Sequence, residues 1–497
     1  MPEPYSPADA DATTFDLAIV GGNVVTPRGI ERVGIGIRAG QIAALAPDHT
    51  LSAARRTIDV TGQHVIPGLV DPEAHPGHTE PWAIDAETET RAAAAAGVTT
   101  WGIQSPSSRF GQEPYRFDGD PELCVSFHDV FENGRRSFEE RSAIDFFFTF
   151  QMETDQQAGE IAEYAQRYGV TSFKFYGQWR SIDPDWWGRR AHANGLVRGW
   201  DDGTFFLALE QVARLGPPAI VAFHPENWEI ARILEARLRE TGREDTAAWD
   251  ERSPDFLEAD HLRHFAYLGG VLGARVYAQH CTNARSVDEA RRAKDQGVEL
   301  FVQSGPAWLY FTRDAWKIMP PLRGRDDIEA LWGGLREGVI DAIGSDHVVA
   351  RGSRSDPANR SVWSDRGTAF ASRVEMLLPI MIHEGVHKGR ISLERLVQVM
   401  CENPARIFGI YPQKGTIAVG SDADLVVVDL NKEVSVTDDL VWSRSGWTLL
   451  NGHVLKGWPV LTILRGAVIS KWTSGSQRPE VEDLRIGRYL PRRCEPC

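Results

Sequence analysis

The chain has 497 residues, 42% hydrophobic and 25% charged, which suits a soluble globular protein with one large domain and a smaller one. Its 69 acidic residues against 54 basic ones give a formal net charge of −15, which argues against nucleic acid as a partner, because phosphate binding needs a basic face. Five scattered cysteines (Cys124, Cys281, Cys401, Cys494 and Cys497) exclude a disulfide framework and point to a reducing compartment.

The first 15 residues are acidic and polar, without the apolar core of a signal peptide, and no run of about 18 apolar residues follows. The expectation is a cytoplasmic protein with no membrane span. Residues 16–66 alternate apolar residues with Gly-containing turns, as in DLAIVGGNVV and GIGIRAGQIAAL, and read as a small β unit. The same texture returns in GTIAVGSDADLVVVDL and GWPVLTILRGAVISKW. Chain ends often lie close together, so the two pieces can complete one domain.

Between them, apolar strands alternate with helical segments. Eight strand candidates follow residue 63: HVIPGLVD, GVTTWGIQ, IDFFFTFQ, TSFKFYG, AIVAFHPEN, RVYAQHCTN, ELFVQSGP and DAIGSDH. Helical patterns such as ETETRAAAAAG, NWEIARILEARLRETG and DDIEALWGGLREG lie between them. Eight βα units in series predict an α/β fold, a (β/α)8 TIM barrel, with a doubly wound sheet as the alternative. The expected organisation is a flexible N-terminus (1–15), the N-terminal half of a small β-sandwich (16–66), the barrel (67–412), the C-terminal half of the same β-sandwich (413–473) and a C-terminal tail (474–497). The tail ends in Cys494-Glu-Pro-Cys497, a single pair that reads as solvated rather than metal-binding.

Barrel active sites sit at the C-terminal ends of the strands. Strand one ends in Glu73 and His75, strand four carries Lys174, strand five ends in His224, strand six in His280 and strand eight in Asp346-His347. A lone histidine at a strand end is more often a satisfied core residue, but so many polar groups at equivalent ends are hard to assign to chance. Imidazole and carboxylate ligate zinc-like ions, with manganese favoured as oxygen ligands increase. Lys174 lies in an apolar strand, where burial lowers its pKa and favours the neutral amine that can form a carbamate. A lysine snorkelling from the strand end is the equal alternative.

On these residues the sequence resembles the amidohydrolase superfamily, and within it the cyclic amidohydrolases: dihydropyrimidinases, hydantoinases, allantoinases and dihydroorotases. PGLVDPEAH is similar to the first metal motif of that group, SFKFY to the segment around its carbamylated lysine, FHPEN and QHCTN to its histidine motifs and GSDH to its catalytic aspartate. The resemblance spans about residues 16 to 472. It implies two divalent metals, zinc first and manganese next. Glu73, His75 and Asp346 would hold one, His224 and His280 the other, and a CO2-derived carbamate on Lys174 would bridge them. A metal-bridging hydroxide would attack, and Asp346 would carry its proton to the leaving nitrogen. A homo-oligomer, tetramer or dimer, is implied, with a tail like those that reach across a subunit interface.

Several positions depart from that pattern. Glu73 stands where hydantoinases have histidine, and Trp179 where they have an oxyanion-stabilising tyrosine, for which Tyr176 is the nearby candidate. Met319 replaces a substrate-binding serine before Pro320-Pro-Leu-Arg323. His78 follows in a Pro-Gly turn beyond the strand end; a substitute metal ligand is the lesser alternative, and it reads first as a loop or substrate-side residue. Trp179, Trp308 and Met319 are substrate-binding candidates, with Trp186, Trp187, Trp200 and Trp228 as further pocket aromatics; Arg180, Arg189 and Arg190 are candidates for a substrate carboxylate. The expected activity is hydrolytic opening of a small cyclic amide or imide other than a standard hydantoin or dihydropyrimidine. The Glu73-x-His75 spacing offers a metal-dependent decarboxylase as the alternative, and a non-catalytic scaffold ranks last.

Overall fold

The computed structural model describes residues 14–111, 125–177, 200–349, 362–363 and 373–494. Its centre is an eight-stranded, all-parallel sheet in sequential order. The strands are β1 (Leu69–Ala74), β2 (Val98–Pro106), β3 (Asp145–Gln151), β4 (Ser172–Phe175), β5 (Ile220–Phe223), β6 (Val276–Ala278), β7 (Leu300–Ser304) and β8 (Ala342–Ile343). A bridge between Ala74 and His347, with the His75 amide donating to the His347 carbonyl at 2.9 Å, brings the first and last strands together. The sheet is therefore a nearly closed barrel with helices outside. Its strands are almost wholly buried, as parallel strands covered on both faces must be.

The expected first strand is in fact two. His64–Pro67 pairs with Leu425–Val428 and belongs to the other domain, while β1 starts at Leu69. Gly68 is the joint: a Cβ there would meet the Thr99 hydroxyl at 2.1 Å, so the chain can cross from one sheet to the other only without a side chain.

The second domain is a pair of sheets. One orders Gln41–Ala46, Gly34–Arg38, Leu17–Val20 and Thr57–Asp59; the other runs from Glu480–Val481 through the long pair Val454–Leu464 and Leu425–Ser435 to Gly29–Glu31. Its core joins Ile19, Ile35 and Ile42 from the N-terminal segment to Leu425, Val427 and Ile463 from the C-terminal segment. Lys414 is buried between Asp145 of β3 (2.5 Å), Asp424 (2.6 Å) and Asp422 (2.9 Å). The three carboxylates also have metal-ligand spacing, but the ammonium already sits among them.

The described residues of the C-terminal tail lie back on their own barrel. Arg492 is buried, with Nη1 donating to the Ser172 hydroxyl at 2.9 Å, and the Tyr489 hydroxyl donates to the Tyr168 carbonyl at 2.7 Å. Among the described residues no helix is long and apolar enough to cross a membrane.

Candidate metal centre

The strand ends converge as barrel geometry requires. Glu73, His75 and Asp346 are buried, and one ligand atom from each lies within 4.8 Å of the others. His75 Nε2 is 3.1 Å from Asp346 Oδ1 and 3.6 Å from Glu73 Oε1. Lys174 Nζ lies 3.5 Å and His280 Nε2 3.9 Å from that same Glu73 oxygen, so Oε1 sits among three nitrogens. On the far side, His224 Nδ1 faces His280 Nε2 at 2.9 Å.

Local sequence explains both histidines. Each ends a strand three residues before an asparagine, Asn227 or Asn283, whose side chain caps the next helix by accepting from Ile230 N at 3.2 Å or Ser286 N at 2.9 Å. The cap fixes the strand-to-helix turn and hence the direction of the imidazole. His280 (φ +34°) and Asp346 (φ +49°) both adopt left-handed backbone, uncommon without glycine and concentrated where surrounding contacts impose it at functional sites.

Buried partners aim the ligands. Glu226 Oε2 is 2.8 Å from His224 Nε2, which leaves Nδ1 for the site. Burial alone would raise the Glu226 pKa, but the His224 hydrogen bond and the Arg252 charge outweigh it and hold it at about 2. The Gln303 side-chain amide donates to Glu73 Oε2, and the Tyr277 hydroxyl donates to Gln303 Oε1 at 2.7 Å, so Oε1 of Glu73 turns inward. Asp71 accepts from the Ser345 amide at 2.8 Å and from Trp101 Nε1 at 2.7 Å, tying β1 to the turn after β8. Arg373 Nη1 donates to Asp346 Oδ2.

These contacts set the charges. Burial lowers the Lys174 pKa to about 8 even against the attraction of Glu73 and Asp346. Burial, with His224 and the nearby cations, drives His280 well below its usual range and keeps it neutral. Burial pushes Asp346 up, but the Arg373 charge and the His75 hydrogen bond prevail and its pKa is lowered. Burial pushes the Tyr176 phenol well up, so it remains protonated.

The donors fit divalent metals. A carboxylate, an imidazole and an aspartate converge at one position, two imidazole nitrogens at a second, and Lys174 reaches the Glu73 oxygen between them. Tyr176 joins the site: its hydroxyl is 3.3 Å from His75 Nε2 and its ring stacks on His224 at 5.5 Å. Trp308 packs 5.9 Å from the His280 ring, and its Nε1 donates to the Pro320 carbonyl at 3.0 Å. Met319 is buried with Trp228 and Trp249. His78 pairs with Arg109, 2.8 Å from its Nδ1, and its ring centre lies 6.2 Å from that of His75. His347, beside Asp346, faces Glu89 at 2.8 Å instead. Trp200 is buried and its Nε1 donates to the Tyr176 carbonyl at 2.8 Å. Trp179, Trp186, Trp187, Arg180, Arg189 and Arg190 lie outside the described residues. Sequence reasoning misses Gln303 and Arg373. Gln303 has a signal, a polar residue near the end of a barrel strand; Arg373 has none.

A parallel barrel with this polar convergence at its C-terminal strand ends defines a barrel protein with a candidate metal centre. The chain belongs to the amidohydrolase family, whose sequence model matches residues 254–469, and within it to the cyclic amidohydrolases. It is 30% identical to an L-hydantoinase of Paenarthrobacter aurescens over 473 residues, 92% of this chain and 95% of that one. An allantoinase of Solibacter usitatus is 29% identical, with 91% and 93% covered. The structure of the L-hydantoinase (dihydropyrimidinase) from Arthrobacter aurescens superposes with a TM-score of 0.81 at 29% identity, covering 96% of this chain and all of that one.

Proposed function

We propose that the protein opens a small cyclic amide or imide by metal-dependent hydrolysis, on a ring other than a standard hydantoin or dihydropyrimidine. The observation that carries this reading is the convergence of Glu73, His75 and Asp346 with Lys174, His224 and His280 at one end of the barrel. Glu73, His75 and Asp346 would hold one divalent ion and His224 and His280 a second, with Lys174, carbamylated by CO2, between them; zinc fits first and manganese next. Such ions lower the pKa of water toward neutrality and polarise a carbonyl.

The protein's own groups do the rest. Asp346, kept ionised by Arg373, accepts a proton from the attacking water and delivers it to the leaving nitrogen. The Tyr176 hydroxyl, held protonated near His75, donates toward the oxyanion that forms as the carbonyl carbon becomes tetrahedral. Trp308 and Met319 line the substrate side, with Trp179 and His78 as further contacts of the substrate. The working unit is a homo-oligomer, dimer or tetramer, in the cytoplasm.

The test is turnover of a panel of cyclic ureides, imides and lactams by protein supplied with zinc or manganese and bicarbonate. A ring-opened acid is expected, and Asp346→Asn should lower kcat by about 10²–10⁴-fold. Release of CO2 without ring opening would replace this reading with decarboxylation. No turnover across the panel with full metal loading would contradict it.

A further inference from the structure

We infer that Arg373 selects substrates that carry a carboxylate close to the bond that is broken. The inference rests on the cyclic-amide reading above and narrows its substrate class.

Arg373 is fully buried, and it meets the site on three sides. Nη1 donates to Asp346 Oδ2. Nη2 lies 3.4 Å from the Met319 carbonyl, a long contact near the limit of a hydrogen bond. The guanidinium carbon stands 5.3 Å from the centre of the Trp308 ring. Nε is buried and has no hydrogen-bond partner among the described residues. Nε and Nη2 share one edge of the planar guanidinium. That edge is the parallel pair of donors that matches a carboxylate. One edge is thus largely unspent, beside the two residues, Met319 and Trp308, already placed on the substrate side.

Asp346 alone does not account for this arginine. A carboxylate that ligates a metal already has a counter-charge, and a buried guanidinium beside a site built for divalent cations is repelled by them. Leaving a buried donor unsatisfied also carries the cost of its lost hydration. A substrate anion on the Nε–Nη2 edge removes both penalties. It also holds the ring by a group that takes no part in bond breaking while Nη1 keeps Asp346 in place, which links recognition to the proton-transfer group.

The experiment uses the full-length protein loaded with metal and two probes of one shape: a hydantoin with a carboxymethyl group on its ring carbon and the neutral carboxamide counterpart. Binding is measured by titration calorimetry and turnover by release of the ring-opened acid. The acid should bind about tenfold tighter or better than the amide, with the preference in KM rather than kcat. Arg373→Gln should bring the ratio to about one, and Arg373→Lys, which keeps the charge but loses the fork, should retain only part of it. Equal binding of the two probes by the native protein overturns the inference without any variant, as does a preference that survives in Arg373→Gln. Turnover of both probes at equal efficiency would sink the inference and leave the hydrolase reading standing. Preferential binding of the acid without ring opening, lost in Arg373→Gln, would support Arg373 and leave the hydrolase reading to be decided by the wider panel of rings.

Discussion

Glu73 is the residue at which the chain departs most visibly from the hydantoinase pattern, and its surroundings show how a carboxylate fits there. Gln303 occupies Oε2, and Tyr277 fixes Gln303, so one oxygen is presented to the site. Gly344 packs against the same amide: a Cβ there would lie 2.7 Å from it. Partners of this kind typically change metal affinity by about 10–100-fold. Gln303→Leu should therefore weaken metal binding by about that factor, read by competition with a chromogenic chelator, and should also lower the thermal stability of the metal-free protein, because Glu73 Oε2 and the Tyr277 hydroxyl lose their partner. An unaltered affinity would remove Gln303 from the account. Lys174 gives a pH prediction. Burial depresses its pKa to about 8, so the neutral amine that can capture CO2 is only about a tenth of the population at pH 7 and dominates above pH 8. Reactivation of metal-free protein by metal and bicarbonate, at constant dissolved CO2, should accelerate about tenfold from pH 7 to pH 9; a flat profile would mean that the free amine is not what reacts.

The elements show how much of this is legible in the sequence. The polar strand ends at Lys174, His224 and His280 can be read because a barrel places equivalent ends side by side, and because His-x-x-Asn builds the following helix cap as it ends the strand. The first strand reads too long, since HVIPGLVD is continuous in hydrophobicity and only Gly68 marks the passage between sheets. Arg373 is illegible for a different reason. It follows no strand or helix period, and it meets Asp346 from 27 residues further along the chain, a separation that no local spacing rule reads. Lys414 helps join the domains, linking Asp145 of β3 to Asp422 and Asp424 before the long sandwich strands, and Arg465 pairs with the same Asp145. Removing Lys414 leaves buried Asp422 and Asp424 without their cation, while Asp145 keeps Arg465. Lys414→Met should destabilise the fold by about 3–5 kcal/mol in urea unfolding; a loss well short of that range, within the scatter of ordinary surface substitutions, would show the pin to be dispensable.

At the scale of the whole molecule, composition places the chain among ordinary globular proteins, and repetition of βα units points to the barrel. The meeting of the two chain ends in one sandwich follows from shared β texture. The tail is the contrast. It resembles tails that reach across a subunit interface, with a flexible terminus as the alternative; its Leu490 and Arg492 are buried against the barrel of their own chain. Light scattering should still give two or four chains per particle, and a monomer at micromolar concentration would remove the oligomer from the proposal.

The central claim is that a glutamate-containing ligand set holds two metals. It is tested most directly by elemental mass spectrometry of native protein purified without chelator, alongside Glu73→Ala and Lys174→Ala. The account predicts about two equivalents of zinc or manganese per chain in the native protein and clear loss in both variants. One equivalent or none, not raised by zinc, manganese and bicarbonate, would contradict the binuclear centre and leave Glu73 and His75 as members of a different chemistry.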